Sequence, residues 1–265
     1  MPKDLFHQPL FNQSLVKKRI PSQPTPAAHK KILHDWAATI RDGSIHKQKE
    51  TSIRGPFIRK FFVELLGYKP FGDGDTQWTV HEEQQTGPGS ADAALGHFAA
   101  STRQVVAPVE LKGADTLNHD AIMPGRHKSP VQQAWEYAND TKDCQWVLLS
   151  NMLEIRLYAV SHTRQVFERW NILDLADSDA EYQRFQLLLG ADNLLGGRTA
   201  RLLKDSAGAD KEITQSLYRD YRQWRQTLII ALVQHNPGKP FAEIIEHAQT
   251  ILDRVLFVAF AEDRE

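Results

Sequence analysis

The chain has 265 residues, of which 32 are lysine or arginine and 33 are aspartate or glutamate, so its formal net charge is −1. This length suits one or two domains with a sizeable core, and the near-neutral charge excludes a global basic field, so any nucleic-acid surface must be a local patch. The single cysteine, Cys144, excludes an internal disulfide and a multi-cysteine zinc site, and it fits a reducing compartment such as the cytoplasm.

The chain begins with residues 1–28, which are rich in Pro, Gln and Ser. Pro21, Pro24 and Pro26 argue against regular structure, so we expect an extended N-terminal arm. The arm lacks the apolar core of a signal peptide, and no later apolar run is long enough to span a bilayer. We therefore expect a cytoplasmic protein without a membrane partner.

Two amphipathic helices are predicted next. Apolar residues recur at helical spacing over residues 27–40 and again over residues 53–67. Pro56 favours either a helix start close to it or, if the helix begins at Glu50, a kink. If the helix begins at Glu50, Glu50 and Arg54 share one of its faces. One interpretation is an ordinary surface ion pair between them, and the other is that the helix presents Glu50 to a metal ion.

A β-rich segment follows these helices. Residues 77–83 alternate as a strand does, and residues 84–90, with two glycines and a proline, predict a turn. Glu82 and Glu83 are candidate metal ligands at the end of this strand. They rank below Asp92 because ordinary strand ends often carry such charges.

The sequence from Asp92 to Lys112 carries the chemistry. Strand side chains alternate between faces, so Glu110 and Lys112 share one face, and Pro108 predicts a sheet edge or a bulge. We expect a hairpin that brings Asp92 beside both. Two carboxylates suit Mg²⁺ with substrate phosphate, and a nearby ammonium can act on the attacking water or on phosphate charge. The alternative is an exposed amphipathic hairpin that happens to end in Glu-x-Lys.

A loop over residues 113–129 contains three adjacent basic residues, Arg126, His127 and Lys128. They lie just before a predicted helix, where basic side chains can meet phosphate. Ordinary solubility of a loop explains the same residues equally well.

The helix after this loop has Ser129 as its expected N-cap and Pro130 in its first turn. Gln133 and Tyr137 are four residues apart and share one face of the helix. They either have a role at the site or simply pack the helix against a sheet.

Strands are then predicted over residues 144–150, 153–158 and 165–170. Together these elements predict an α/β fold, a mixed sheet flanked by helices.

The chain changes character after residue 170. Helical patterns are predicted over residues 180–189, 210–234 and 241–261. Residues 190–197 are glycine-rich and predict a loop, and Asn236-Pro237-Gly238 breaks the pattern. We expect an α-helical bundle that is distinct from the sheet domain.

Taken in order, these motifs resemble a PD-(D/E)xK nuclease domain: Glu50 on a helix, Asp92, Glu110-x-Lys112, and a helix with Gln133-x-x-x-Tyr137. More narrowly, the segments ETSIR, SPVQQAWEYA, WVLLSN, EIRLY and ILDRVLFVAFAEDRE look like the amino-terminal part of single-chain, type IIG-like restriction–modification enzymes. In those enzymes a nuclease domain is fused through a helical connector to an adenine methyltransferase. The similarity covers most of residues 45–265, with one departure, Ala91 where the family pattern has proline.

The resemblance implies a restriction-endonuclease-like fold and type II-like cleavage of duplex DNA. It implies Asp92 and Glu110 as Mg²⁺ ligands, Lys112 as the catalytic lysine and Glu50 as an accessory acid. It also implies that Gln133 and Tyr137 lie near the site.

From their charge and position, we expect the DNA-binding residues on the active face to be Arg54, Arg126, His127 and Lys128.

After the arm at 1–28, the resemblance implies a nuclease-like domain at 29–178 and a helical connector at 179–265. We find no glycine-rich cofactor loop and no Asn-Pro-Pro-Tyr motif in the chain. We therefore expect either a fragment of a longer protein or a shortened relative. The methyltransferase, the target-recognition regions and S-adenosylmethionine would belong to the full-length protein.

Three functions fit the sequence. The favoured one is a Mg²⁺-dependent DNA endonuclease module of a restriction–modification enzyme. The second is a catalytically inactive, nuclease-like module that binds DNA or positions a partner. The third is an unrelated soluble enzyme with a fortuitous motif, which a sheet that keeps Asp92 far from Glu110 would support.

Overall fold

The computed structural model describes residues 7–86, 89–123, 125 and 127–262 of the chain. Contacts divide the chain into two compact units, Met1–Ala207 and Gly208–Glu265. The first unit contains a six-stranded sheet with helices, and the second is helical. The predicted functional division at residues 178/179 stays a prediction; by contact, residues 179–207 belong with the sheet.

The elements of the chain are as follows. The strands are β1 (Gln77–Thr86), β2 (Gly89–Ala99), β3 (Thr102–Leu111), β4 (Trp146–Ser150), β5 (Glu154–Ala159) and β6 (Phe167–Asn171). The helices are α1 (Gln13–Arg19), α2 (Ala27–Arg41), α3 (Glu50–Phe57), α4 (Pro130–Asn139), α5 (Ile172–Asp177), α6 (Asp179–Leu189), α7 (Ala191–Leu194), α8 (Arg198–His235) and α9 (Phe241–Glu262). A 3₁₀ turn covers Ser44–Lys47, and a π-helical segment covers Ile58–Leu65.

The sheet is mixed, with strand order β1-β2-β3-β4-β5-β6. β3 and β4 are parallel, and α4 lies in the crossover between them, whereas every other neighbouring pair is antiparallel. A parallel pair requires such a crossover, and a helix is its usual content. The predicted α/β architecture, a mixed sheet flanked by helices, is confirmed.

Pro108 lies inside the sheet, so its interpretation as an edge residue is wrong. Parallel pairing with β4 begins at Val109, one residue later, so the missing proline N–H interrupts no pairing there. The bulge alternative is confirmed nearby, because the register between β2 and β3 shifts between Leu95 and Gly96. A Cβ on Gly96 would lie 2.0 Å from the carbonyl oxygen of Gln104, so only glycine fits this bulge.

The two faces of the sheet bury separate apolar clusters. Side chains alternate along β4, so Leu148 joins the larger cluster with Phe61, whereas Val147 and Leu149 pack against Trp135 of α4. The larger cluster also takes in buried side chains of α2, α3, α5 and α6. The site described below lies at the end of β3, between β2 and β4.

The prediction of a fully extended arm is wrong, because α1 forms within it. The first of the three prolines is Pro21, so the residues before it can form a helix. Asn12 caps the helix by accepting a hydrogen bond from the amide of Leu15 at 2.8 Å. Phe11 and Val16 are buried in the larger apolar cluster, so the arm packs as part of the sheet unit.

Of the two helix starts that Pro56 allows, the earlier one, at Glu50, is observed. α3 begins at Glu50 and contains Pro56, and the chain continues directly into the π-helical segment. Proline removes one intrahelical donor and clashes with the preceding turn, so the change in helical pitch beside it has a local cause.

The glycine-rich stretch predicted as a loop contains the short helix α7. Its interior residues, from Ala191 to Leu194, lie between Gly190 and Gly196, so glycine interrupts only the ends. The break predicted at residues 236–238 is confirmed, since α8 ends at His235 and α9 begins at Phe241. In the described part of the chain, no helix combines the length and apolarity needed to cross a membrane.

The start of α4 provides a test of local stability. Ser129 accepts a hydrogen bond from the amide of Gln132 at 3.2 Å, as the predicted N-cap should. Ser129→Ala is expected to lower the free energy of unfolding by about 1 kcal/mol, whereas Ser129→Asp, which keeps the cap, should change it by less than about half of that. Urea unfolding of the three proteins measures both effects; equal losses in both variants would show that capping is not what Ser129 contributes.

Candidate functional site

The β2–β3 hairpin brings Asp92, Glu110 and Lys112 together. Ala93 lies opposite Val109, which places their neighbours Asp92 and Glu110 side by side. Asp92 Oδ2 accepts a hydrogen bond from the amide of Leu111 at 2.8 Å, and Lys112 Nζ donates to Glu110 Oε1. The expected hairpin and the shared face of Glu110 and Lys112 are confirmed.

The Glu110–Lys112 pair is buried, with exposures of 2 % and 3 %. An exposed amphipathic hairpin is therefore not the explanation of the Glu-x-Lys pattern. Buried charges are rare because leaving water is costly, and they persist when they are paired with each other. Because a buried ion pair is weak evidence for added stability, this pair beside Asp92 marks a candidate functional site.

Glu50 reaches the same place from the first residue of α3. Its Oε2 accepts a hydrogen bond from the amide of Gly113 at 2.9 Å. Gly113 directly follows Lys112, so the Glu50 carboxylate fixes the backbone where β3 leaves the sheet. The helix thus places a carboxylate at the end of the strand that carries Glu110 and Lys112, and the role of Glu50 as an accessory acid stays a prediction.

Arg54 joins two carboxylates from different strands. Its Nη1 donates to Asp92 Oδ1 at 2.8 Å, and its Nη2 donates to Glu83 Oε1 at 2.9 Å. Glu50 and Arg54, which share a helix face, bind these distant partners instead of each other. Glu83, which the sequence ranked as a lesser ligand, therefore contributes to the site through Arg54.

The carboxyl group of Glu110 has an unusual protonation equilibrium. Burial raises its pKa to about 7, and the nearby Asp92 and Glu50 carboxylates add to this effect, while Lys112 opposes it. Burial prevails even though Lys112 is bonded to Oε1. The second oxygen, Oε2, is buried without a hydrogen-bond partner in the described part of the chain. A buried acceptor without a partner calls for an explanation, and a cation is one.

A metal at this site would rely on few protein ligands. Among the residues that the structure describes, no group of three or more His, Cys, Asp or Glu side chains is placed to hold a metal ion. Mg²⁺, however, usually binds one or two carboxylates together with substrate phosphate and water. Asp92 and Glu110 are such a pair, although Arg54 and the Leu111 amide already engage Asp92.

The predicted helix residues lie on α4, which packs against β2, β3 and β4. Gln133 Nε2 donates to the hydroxyl of Tyr137 at 2.8 Å, so the two share one face of the helix as expected. The strands that α4 covers are those that carry Asp92, Glu110 and Lys112. A role for Gln133 and Tyr137 at the site stays a prediction.

Of the predicted DNA contacts, Arg54 lies on α3, whereas His127 and Lys128 precede α4; that they share one DNA-binding face stays a prediction. His127 and Lys128 are exposed, and Lys128 Nζ is bonded to Glu136 of α4. Arg54 lies within the site itself, and Arg126 falls outside the described residues. Lys128 would have to exchange Glu136 for a phosphate before it could bind DNA.

A second buried polar cluster consists of His119, Glu154 and Arg156. It was not predicted from the sequence. His119, from the loop after β3, has no exposed surface, and its Nε2 is 3.4 Å from Glu154 Oε1. That carboxylate is bonded to Arg156 Nε at 2.6 Å. The pKa of His119 is lowered to about 3, mainly by burial and in smaller part by the positive charges of Arg156 and Lys112. The available signal was the pair Glu154 and Arg156 on one face of an otherwise apolar strand.

His119 should make stability depend on pH. Its pKa is about 6.5 when unfolded and about 3 when folded, so near pH 5 only the unfolded state binds the proton. Lowering the pH from 7.5 to 5 should therefore reduce the unfolding free energy that wild type owes to His119 by about 2 kcal/mol. The His119→Gln protein lacks this histidine and should show no such loss. Glu110, with its raised pKa, acts in the opposite direction in both proteins, so their difference isolates His119. Urea unfolding at the two pH values tests this; identical pH dependence would contradict it.

Known proteins were also compared with the chain. No family model, no curated protein and no solved structure matches it. Any assignment of function therefore depends on the geometry of the site and on the order of its motifs.

Proposed function

We propose that the chain is a Mg²⁺-dependent DNA endonuclease module with a restriction-endonuclease-like fold. It hydrolyses phosphodiester bonds of duplex DNA as the nuclease part of a restriction–modification enzyme. The observation that carries this proposal is the buried Glu110–Lys112 pair beside Asp92, with one Glu110 oxygen lacking a partner. Two carboxylates and an ammonium at one strand end suit phosphodiester hydrolysis.

The residues fit a divalent cation. Glu110 Oε2 is a buried acceptor without a hydrogen bond, and Asp92 lies next to it on the neighbouring strand. Asp92 and Glu110 would hold the Mg²⁺ ion, with phosphate and water as its remaining ligands. When bound, Mg²⁺ polarises a phosphoryl oxygen and lowers the pKa of bound water.

Besides the charge of the metal ion, the proposed mechanism uses a positive charge from the protein, the ammonium of Lys112. Its ammonium is almost fully buried, so its interaction with a phosphate would be little screened by water. It would stabilise the negative charge that grows on the phosphate in the transition state, or orient and help deprotonate the attacking water. Both roles require Lys112 on the same face as the two carboxylates.

Three other residues act by positioning. Glu50 holds the Gly113 amide, and thereby fixes the end of the strand that carries Glu110 and Lys112. Gln133 and Tyr137 are hydrogen-bonded to each other on α4, which packs over the same strands. They would hold that helix face in one arrangement beside the substrate.

The partners in this proposal are duplex DNA and, in the full-length protein, the methyltransferase and target-recognition regions. S-adenosylmethionine would bind only the methyltransferase. Arg126, His127 and Lys128, which precede α4 in the sequence, would contact phosphates near the site. Because each neutralised phosphate releases counterions, duplex affinity should fall steeply as salt increases.

A second candidate is a catalytically inactive module that binds DNA or positions a partner. It is favoured by one specific observation: the cations of the site are already paired, Lys112 with Glu110 and Arg54 with Asp92 and Glu83. If those pairs persist, both oxygens of Asp92 and one oxygen of Glu110 stay engaged, which leaves only Glu110 Oε2 for a metal. DNA could then be held without being cut.

Calorimetric titration of the full-length protein with Mg²⁺, with and without duplex DNA, separates the two candidates. The endonuclease should bind Mg²⁺, and more tightly with DNA, because phosphate completes the ligand set. Binding of DNA without any heat of Mg²⁺ binding would favour the inactive module.

A further inference from the structure

Asp92, one of the two proposed metal ligands, already binds the guanidinium of Arg54. Asp92 Oδ1 accepts from Arg54 Nη1 at 2.8 Å, and Oδ2 accepts from the Leu111 amide at 2.8 Å. The side chains of Arg54 and Asp92 are only 23 % and 16 % exposed, so this ion pair is partly shielded from water. A metal that uses Asp92 must therefore compete with a guanidinium already in place.

Glu83 gives the same guanidinium a second partner. Its neighbours in β1 pair with residues 93 and 91, so Glu83 lies opposite Asp92 in the sheet. Its φ of 54° is left-handed, which is uncommon for a residue other than glycine. The Glu83 side chain is 71 % exposed and accepts from Arg54 Nη2 at 2.9 Å. Arg54 is thus held between a shielded carboxylate and an exposed one.

We propose that Arg54 takes the place of the divalent cation at Asp92 while no metal is bound, and leaves Asp92 when the metal binds. Glu83 keeps its bond to Arg54 during this exchange and so retains the guanidinium at the rim of the site. The inference rests on the proposed cation-dependent function and specifies how that site is regulated.

The charges of the site support this exchange. Its carboxylates, Glu50, Glu83, Asp92 and Glu110, outnumber its two cations, Arg54 and Lys112, so there is negative charge left to attract Mg²⁺. A guanidinium and a divalent cation repel each other strongly if they share one carboxylate at low dielectric. Because α3 fixes the Arg54 backbone, only the side chain needs to move from Asp92 toward Glu83.

The exchange lowers the apparent affinity for metal. If the competent state, with Asp92 released, is populated only in part, the observed dissociation constant rises by the reciprocal of that fraction. Removing the competitor should therefore tighten metal binding. A partly shielded, charge-assisted hydrogen bond of this type predicts a gain of about tenfold for Arg54→Gln.

Binding of Mn²⁺ to the full-length protein, measured by electron paramagnetic resonance, tests the exchange. Arg54→Gln should bind Mn²⁺ about tenfold more tightly than wild type. Lys49→Gln is the matched control, because Lys49 is exposed just before α3 and its loss removes the same charge. It should change the affinity by less than about twofold, since exposed charges are screened. Glu83→Gln should weaken Mn²⁺ binding, because Arg54 then has only Asp92 to bind.

A second measurement needs no variant for its main result. In wild type, the Nε–Hε resonance of Arg54, assigned by its loss in Arg54→Gln or Arg54→Lys, should shift as Mg²⁺ is added. An unmoved Arg54 resonance at saturating Mg²⁺, an unchanged affinity in Arg54→Gln, or an equal gain in Lys49→Gln would overturn the inference and leave the proposed function standing. No Mn²⁺ binding to any of the proteins would overturn both.

Discussion

Lys112→Met is expected to reduce the rate of DNA cleavage about 1,000-fold while leaving duplex affinity within about twofold of wild type. The charge of Lys112 is needed where negative charge develops, on the phosphate or the attacking water near the transition state. One lysine is a small share of all phosphate contacts, so binding in the ground state should lose little. Methionine keeps most of the volume of this buried side chain, which limits the effect of a cavity.

Single-turnover cleavage and duplex binding should be measured on the same full-length preparation. Lys69→Met is the matched control, because Lys69 is exposed and is paired with Asp75 rather than with a proposed ligand. Near-ultraviolet circular dichroism establishes that both variants are folded. A Lys112→Met protein that is folded and cuts near the wild-type rate would show that the Glu-x-Lys motif is not a nuclease motif.

Asp92→Asn and Glu110→Gln should lose cleavage to a similar extent, but for a different reason. Each change removes one of the two carboxylates expected to hold Mg²⁺, so the divalent-cation affinity should fall about 10- to 100-fold. Lys112→Met, in contrast, should keep its metal affinity. Calorimetry with Mg²⁺ compares the three variants directly.

Asp75→Asn provides the control for these two variants, since it neutralises an exposed carboxylate that is paired with Lys69. Its metal affinity should match that of wild type. If Asp92→Asn and Glu110→Gln bind Mg²⁺ as wild type does, the metal lies elsewhere and the ligand assignment is wrong.

Features set by local spacing could be predicted from the sequence. The two-residue period of a strand placed Glu110 and Lys112 on one face, and the helical period placed Gln133 with Tyr137. The cap at Ser129 also depends on a few adjacent residues. Each of these depends on backbone geometry that neighbouring residues determine themselves.

Features that depend on distant parts of the chain could not be predicted. The partners of Arg54 come from two strands that lie 29 and 38 residues further along the chain. The buried His119 meets Glu154 only because the loop after β3 packs over β5. The position of Pro108 inside the sheet could not be predicted, because no local pattern reveals that β4 pairs in parallel with β3. Tertiary packing, which spacing does not encode, decides all three.

The most direct test of the central claim is cleavage of supercoiled plasmid DNA by the full-length protein in the presence of Mg²⁺. The account predicts conversion to nicked or linear DNA with new 5′ or 3′ phosphate ends, complete dependence on the divalent cation, and loss of activity with EDTA. A preparation that binds both Mg²⁺ and duplex DNA but leaves every phosphodiester bond intact would contradict it.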